Sequence, residues 1–153
     1  MLPWLTDEGN FTLTDAFWSL SIAAMHDGDA RVSIEVRPKD PAGFLAGDGI
    51  PITSEMLGHA ESAFAYQPWR TVWESAKAIV ETTGRPEHVA MSQRVFTRVP
   101  VHLIVGEGTV GGWDVPAWAR KTARTDTVLP GVGHMMMLER PADLGQVLAT
   151  VLT

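Results

Sequence analysis

The apolar positions of this chain change rhythm partway along it. In residues 12–25, Leu13, Phe17, Leu20 and Ala24 recur at spacings of three and four, the stripe of an amphipathic helix, and Thr14 or Asp15 can cap it. His26-Asp27-Gly28-Asp29 ends that stretch with turn chemistry. Over residues 31–37, Val32, Ile34 and Val36 alternate with Arg31, Ser33, Glu35 and Arg37, a brief strand period, although a helix start also fits there. Residues 38–51 hold Pro38, Pro41, Gly43, Gly47, Gly49 and Pro51, which predicts a loop. A helical stretch opens at Thr53-Ser54-Glu55, runs to about Phe64 and is interrupted at Gln67-Pro68. From Trp69 to Glu81 a stronger helix carries Val72, Trp73, Ala76, Ile79 and Val80 on one face.

Past a divide near residues 85–98, strand and helix alternate. Residues 99–105 are almost continuously apolar, as in a parallel strand buried on both faces. A glycine-rich loop, Gly106 to Gly112, follows at the strand's C-terminal end, the edge where open α/β sheets gather their ligand chemistry. Residues 115–121 predict a short helix, 125–129 a second strand, and 141–152 a closing helix. Pro141 stands in the first turn of that helix, and Leu144, Val147, Leu148 and Val151 form its buried stripe. The order strand–helix–strand–helix makes one right-handed β–α–β unit plus a helix.

Composition narrows the class. The 153 residues are 45% hydrophobic and 20% charged, which is globular. A formal charge of −6 argues against a nucleic-acid surface, which needs a basic stripe. No cysteine is present, so disulfides and thiolate metal sites are excluded. The N-terminal residues carry neither a basic region nor a long apolar run, and no segment is long enough to span a bilayer, so a cytoplasmic protein without a membrane partner is expected. Six tryptophans serve as core anchors, or some of them line an apolar pocket for a small substrate.

One histidine stands out. Residues 125–129 lead into Pro130-Gly131-Val132-Gly133-His134, which lifts His134 out at the tip of a turn behind a strand, the way many folds mount a general base. His26, His59, His88 and His102 have no metal-ligand spacing, so no metal is predicted. The Gly106–Gly112 cluster lacks both the Walker lysine and Gly-x-Gly-x-x-Gly, so no cofactor is predicted either. Ser62 lacks the flanking glycines of a nucleophile elbow, and no Gly-x-Ser-x-Gly occurs anywhere.

Val99-Pro100-Val101-His102-Leu103-Ile104-Val105-Gly106-Glu107, the second strand, Gly131-Val132-Gly133-His134 and Glu139-Arg140-Pro141 together resemble the C-terminal end of an α/β-hydrolase. The resemblance covers about residues 95–152. It implies an α/β fold, the C-terminal portion of a mostly parallel hydrolase sheet with a largely helical cap. Residues 1–85 would be the cap (lid) and residues 86–153 the β-α-β-α end of the core. His134 would be the catalytic base. The family often puts its acid in a Gly-x-x-Asp turn after the second-last strand, where this chain has Thr109. Asp114, five residues on, is then the candidate acid if the loop folds back, and Glu107 is the other. Some members put the acid just before the cap, which would place it outside this chain.

The resemblance implies cleavage of an ester, amide or related bond of a small apolar substrate. This chain would supply the cap and the base, and the nucleophile would lie on another chain. The alternative is a non-catalytic ligand-binding or regulatory remnant. Two strands and three helices cannot cover both sheet faces, so an open edge and an apolar face are expected on strand 99–105. The chain is therefore expected to pair with one carrying the N-terminal half of the fold, or to self-associate as an oligomer. A split, cleaved or truncated chain is the expected context.

Overall fold

The computed structural model describes residues 4–152; the first three residues of the expected cap region and the last residue of the expected core region lie outside it. The elements are β1 (Trp4–Asp7), α1 (Phe17–Ala23), α2 (Asp27–Glu35), a 3-10 turn (Arg37–Lys39), α3 (Pro41–Gly47), α4 (Ser54–Ala65), α5 (Trp69–Thr83), α6 (Pro86–Arg98), β2 (Val101–Gly106), α7 (Ala117–Thr122), β3 (Thr125–Leu129), α8 (Met136–Glu139) and α9 (Pro141–Leu152). The fold is mixed α/β around a parallel three-stranded sheet in the order β1-β2-β3. Two compact units emerge, Met1–Asp15 with Thr83–Thr153, and Ala16–Thr82. Residues 4–15 belong with the sheet unit, because β1 pairs with β2.

β2 is the middle strand. Trp4 to Asp7 align with Val101 to Ile104, and His102 to Gly106 with Thr125 to Leu129. Every residue of β2 is buried, as its unbroken apolar run requires. Its side chains alternate between two cores, following the two-residue period of a strand. Val101, Leu103 and Val105 pack with Phe11, Trp113 and Ala119 on one face, joined by Val95 and Phe96 of α6. Ile104 packs on the other with Leu129, Val132, Met136 and the Leu144, Val147 and Leu148 stripe of α9. The expectation of an exposed edge and face on this strand is corrected: β1 covers the edge and helices cover both faces. Exposure falls instead on the outer strands, with Trp4 of β1 55% exposed and Val128 of β3 46% exposed.

An aromatic cluster ties the chain after β1 to this unit. Phe11 lies edge-on to Phe96 at 6.0 Å and to Trp118 at 6.2 Å, and 5.9 Å from the Trp113 ring. Each such pair adds about 0.5–1.5 kcal/mol beyond its burial. Trp113 Nε1 also donates to the Gly9 carbonyl at 2.9 Å.

The helical unit packs Ile22 of α1, Ile34 of α2 and Ala76 of α5 together, flanked by Trp18, Trp69, Val72 and Trp73. Three expectations are corrected here. Residues 31–37 lie mostly in α2, so the strand reading fails and the helical alternative holds: Ala30 and Ile34, four apart, face inward, while Val32 and Val36 are 73% and 56% exposed. Asp27 and Asp29 in its first turn suit the positive end of the helix dipole. Residues 38–51 are not all loop, because Pro41 opens α3 and the Asp40 carboxylate caps it by accepting from Gly43 N–H at 2.8 Å. The expected α1 stripe is also misplaced. Ser19 and Ile22 are the buried positions and Phe17 is 75% exposed. Among the described residues, no helix is long and apolar enough to cross a membrane.

Candidate functional site

His134 sits where a sharp backbone turn lifts it behind β3. Gly131 adopts φ +69°, a left-handed conformation that suits glycine. The turn is tied down from two sides. Gly131 N–H donates to Glu107 Oε2 at 2.8 Å, and Gly133 N–H donates to the Glu139 carboxylate oxygens at 3.0 and 3.1 Å. The Val132 carbonyl accepts from Gly108 N–H at 2.9 Å, and the Val132 side chain is buried. Of the three methionines that follow, only Met136 is fully buried, in the core with Ile104, while Met137 is 41% exposed.

The carboxylate on His134 comes from the far end of the sequence. Glu8 follows directly after β1 and its Oε2 lies 2.8 Å from His134 Nδ1, across 126 residues. The Glu8 side chain is 8% exposed and the His134 side chain 60%. Glu8 is also the one described non-glycine residue with positive φ, at +41°. Such a backbone costs energy and persists only where surroundings hold it. Here Glu8 N–H donates to the Ile104 carbonyl at 3.3 Å, Gly9 is held by Trp113, and Phe11 is anchored in the aromatic cluster.

The other oxygen, Glu8 Oε1, accepts from Gly106 N–H at 3.0 Å and from Thr109 Oγ1 at 2.5 Å. Burial pushes the Glu8 carboxyl up. The hydrogen bonds from His134, Thr109 and Gly106, with the His134 charge, outweigh it and hold the carboxyl below its ordinary value. The group therefore stays anionic and acts as an acceptor. With a carboxylate on Nδ1, the neutral imidazole carries its proton there and its basic lone pair on Nε2. A partly exposed ring with an oriented, electron-rich nitrogen can accept a proton from a nearby nucleophile.

The sequence candidates for the acid have other partners. Asp114 is exposed and its Oδ2 accepts from Thr12 Oγ1 at 2.8 Å. Its backbone N–H donates to Asp15 Oδ1 at 2.8 Å. Asp114 and Asp15 thus secure the segment that follows Glu8. Glu107 caps the turn at Gly131, as described above. Thr109, at the position where the family often has its acid, touches the carboxylate instead. Ser62 lies exposed on α4. His102 lies buried in β2 with its Nδ1 2.9 Å from Thr125 Oγ1. Among the described residues, no group of three or more His, Asp or Glu side chains is placed to hold a metal ion.

Glu8 is the residue that sequence reasoning missed. The available signal was an acid, Asp7-Glu8-Gly9-Asn10, ahead of turn chemistry and just before the helical region. Comparison with protein-family models, curated proteins and solved structures finds no match to this chain.

Proposed function

We propose that Glu8 and His134 are the acid and the base of a nucleophile–base–acid centre, in a chain that forms the C-terminal portion of an α/β-hydrolase. The observation that carries this reading is the 2.8 Å contact between His134 Nδ1 and the buried Glu8 carboxylate. A carboxylate in that position orients the imidazole and stabilises the imidazolium that forms when the base takes a proton. In this reading Glu8, rather than Asp114, has the role of the acid. In this reading the nucleophile lies outside these 153 residues, which hold no Gly-x-Ser-x-Gly elbow. The reaction class is hydrolysis of an ester, amide or related bond, and the substrate is small and apolar.

The test is hydrolysis of p-nitrophenyl butyrate by this chain co-expressed with a polypeptide that carries an elbow and the preceding strands. Turnover that needs both chains and disappears in His134→Ala supports the reading. Turnover indifferent to His134→Ala, or none with any such partner, overturns it. The missing elbow also favours a second reading, a ligand-binding remnant without chemistry. Binding of the butyrate ester without turnover, unchanged in His134→Ala, selects that one.

A further inference from the structure

We infer that Thr109 is a positioning residue for the Glu8–His134 pair: its hydroxyl, together with the Gly106 N–H, holds one carboxylate oxygen so that the other is presented to the imidazole. The inference rests on the reading of Glu8 and His134 as acid and base.

A glutamate side chain has three rotatable bonds, and its last torsion is broad, so a carboxylate held at one oxygen alone swings. At Glu8 the oxygens have separate duties. Oε2 faces His134 Nδ1 at 2.8 Å, while Oε1 receives Gly106 N–H at 3.0 Å and Thr109 Oγ1 at 2.5 Å. The two donors on Oε1 fix the carboxylate plane, and the plane sets where Oε2 lies.

Thr109 has one hydroxyl proton and two acceptors within reach. The Gly106 carbonyl lies at 3.2 Å, and the Glu8 carboxylate is nearer and charged. Charge-assisted bonds are the shorter and stronger kind, so the proton goes to Glu8. Thr109 is itself held in place. Its N–H donates to the Gly106 carbonyl at 3.1 Å, and its branched β-carbon restricts the side chain to few rotamers. The two donors come from one tight turn at the end of β2, so a single backbone feature sets both. An acidic side chain at this position would set a second negative charge against Glu8. A hydroxyl supplies a donor.

The experiment is carbon-detected NMR titration of the Glu8 carboxyl in the full chain, alongside the His134 Nδ1 proton signal. It compares wild type, Thr109→Val and Thr109→Ser. Thr109→Val keeps the shape and removes the donor. It is expected to move the Glu8 midpoint upward and to broaden or abolish the Nδ1 proton signal, and Thr109→Ser should restore both. A Val variant with the wild-type midpoint and the wild-type Nδ1 signal overturns the inference. Should Thr109→Val fail to fold, the wild type still decides. Its Thr109 hydroxyl proton should be slow to exchange and downfield, and should be lost when Glu8 protonates; a rapidly exchanging hydroxyl overturns the inference. None of these readouts needs a substrate. A chain that shows them but hydrolyses nothing with any elbow-bearing partner keeps the positioning role for Thr109 and loses the enzymatic reading alone.

Discussion

Gly106 and Gly133 approach so closely that a β-carbon on Gly106 would fall 2.3 Å from the Gly133 carbonyl oxygen. The obstacle is backbone, not a flexible side-chain end, so it cannot swing aside. The end of β2 and the turn that carries His134 are therefore packed backbone against backbone, with no room for a side chain at Gly106. Gly106→Ala should force the His134 turn outward. The expected cost is about 1–3 kcal/mol, the usual scale for overpacking. Urea denaturation checks it, and the His134 Nδ1 proton signal should weaken in the same variant.

Acid should attack the fold through Glu8. Its carboxyl titrates below its ordinary value in the folded chain. The unfolded state therefore binds the proton more readily. The Glu8 contribution is complete above the unfolded carboxyl value, about 4.3, and is lost as pH falls through the folded one. Circular dichroism during acid titration should show wild type losing stability over that window more steeply than Glu8→Gln.

On the proposed reading, Glu8 and Asp114 can be separated by kinetics with the elbow-bearing partner present. Glu8→Gln should lower kcat by about 10⁴-fold, the scale seen when the acid of such a centre becomes an amide. Asp114→Asn should leave kcat near wild type, because Asp114 secures Thr12 and the Asp15 side chain. The reverse ranking in a p-nitrophenyl butyrate assay would return the acid's role to Asp114.

Glu139 should matter through geometry. Its carboxylate takes the Gly133 N–H immediately before His134. Glu139→Ala should cost roughly 1 kcal/mol for the lost charged acceptor, reduced from the buried scale because the site is partly exposed. Glu139→Gln should recover most of it. Thermal melts of the two variants give the comparison.

In the helical unit, Ile22→Ala should be costly, since Ile22 is 2% exposed and packs with Ile34 and Ala76. The expected loss is about 2–4 kcal/mol. Trp18, Trp69 and Trp73 border this core, so tryptophan fluorescence during urea denaturation reports it.

The sheet unit was legible wherever a local pattern carried the information. The apolar run at 99–105, the strand at 125–129 and the Pro141 helix all form as their periodicity predicts. His134 was legible because glycines and a strand end bracket it. β1 was not, since Trp4-Leu5-Thr6-Asp7 has no sustained pattern and becomes a strand only by pairing with β2, far along the chain. Glu8 went with it: an acid after an unseen strand has no visible address. Val32, Ile34 and Val36 misled for another reason. Positions 32 and 36 are as consistent with one helix face as with a strand face, and seven residues cannot separate the periods. Pro41 was read as part of a loop and residues 85–98 as a divide, yet Pro41 and Pro86 each stand in the first turn of a helix, where proline's missing N–H costs nothing. α6 was overlooked on that account, although Val95 and Phe96 on it close one face of the sheet.

The parallel pairing of β1 with β2 bears on how the molecule comes to exist. No hairpin can zip those strands together, because every helix of the Ala16–Thr82 unit lies between them in the chain. Contacts so distant must close a long loop before they return any stabilisation, which slows their formation. β2, β3 and the His134 turn lie within one short stretch and should condense early, leaving the N-terminal strand to arrive last. Glu8 would then reach His134 only at the end of folding, so in a half-built molecule the imidazole has still to meet its carboxylate.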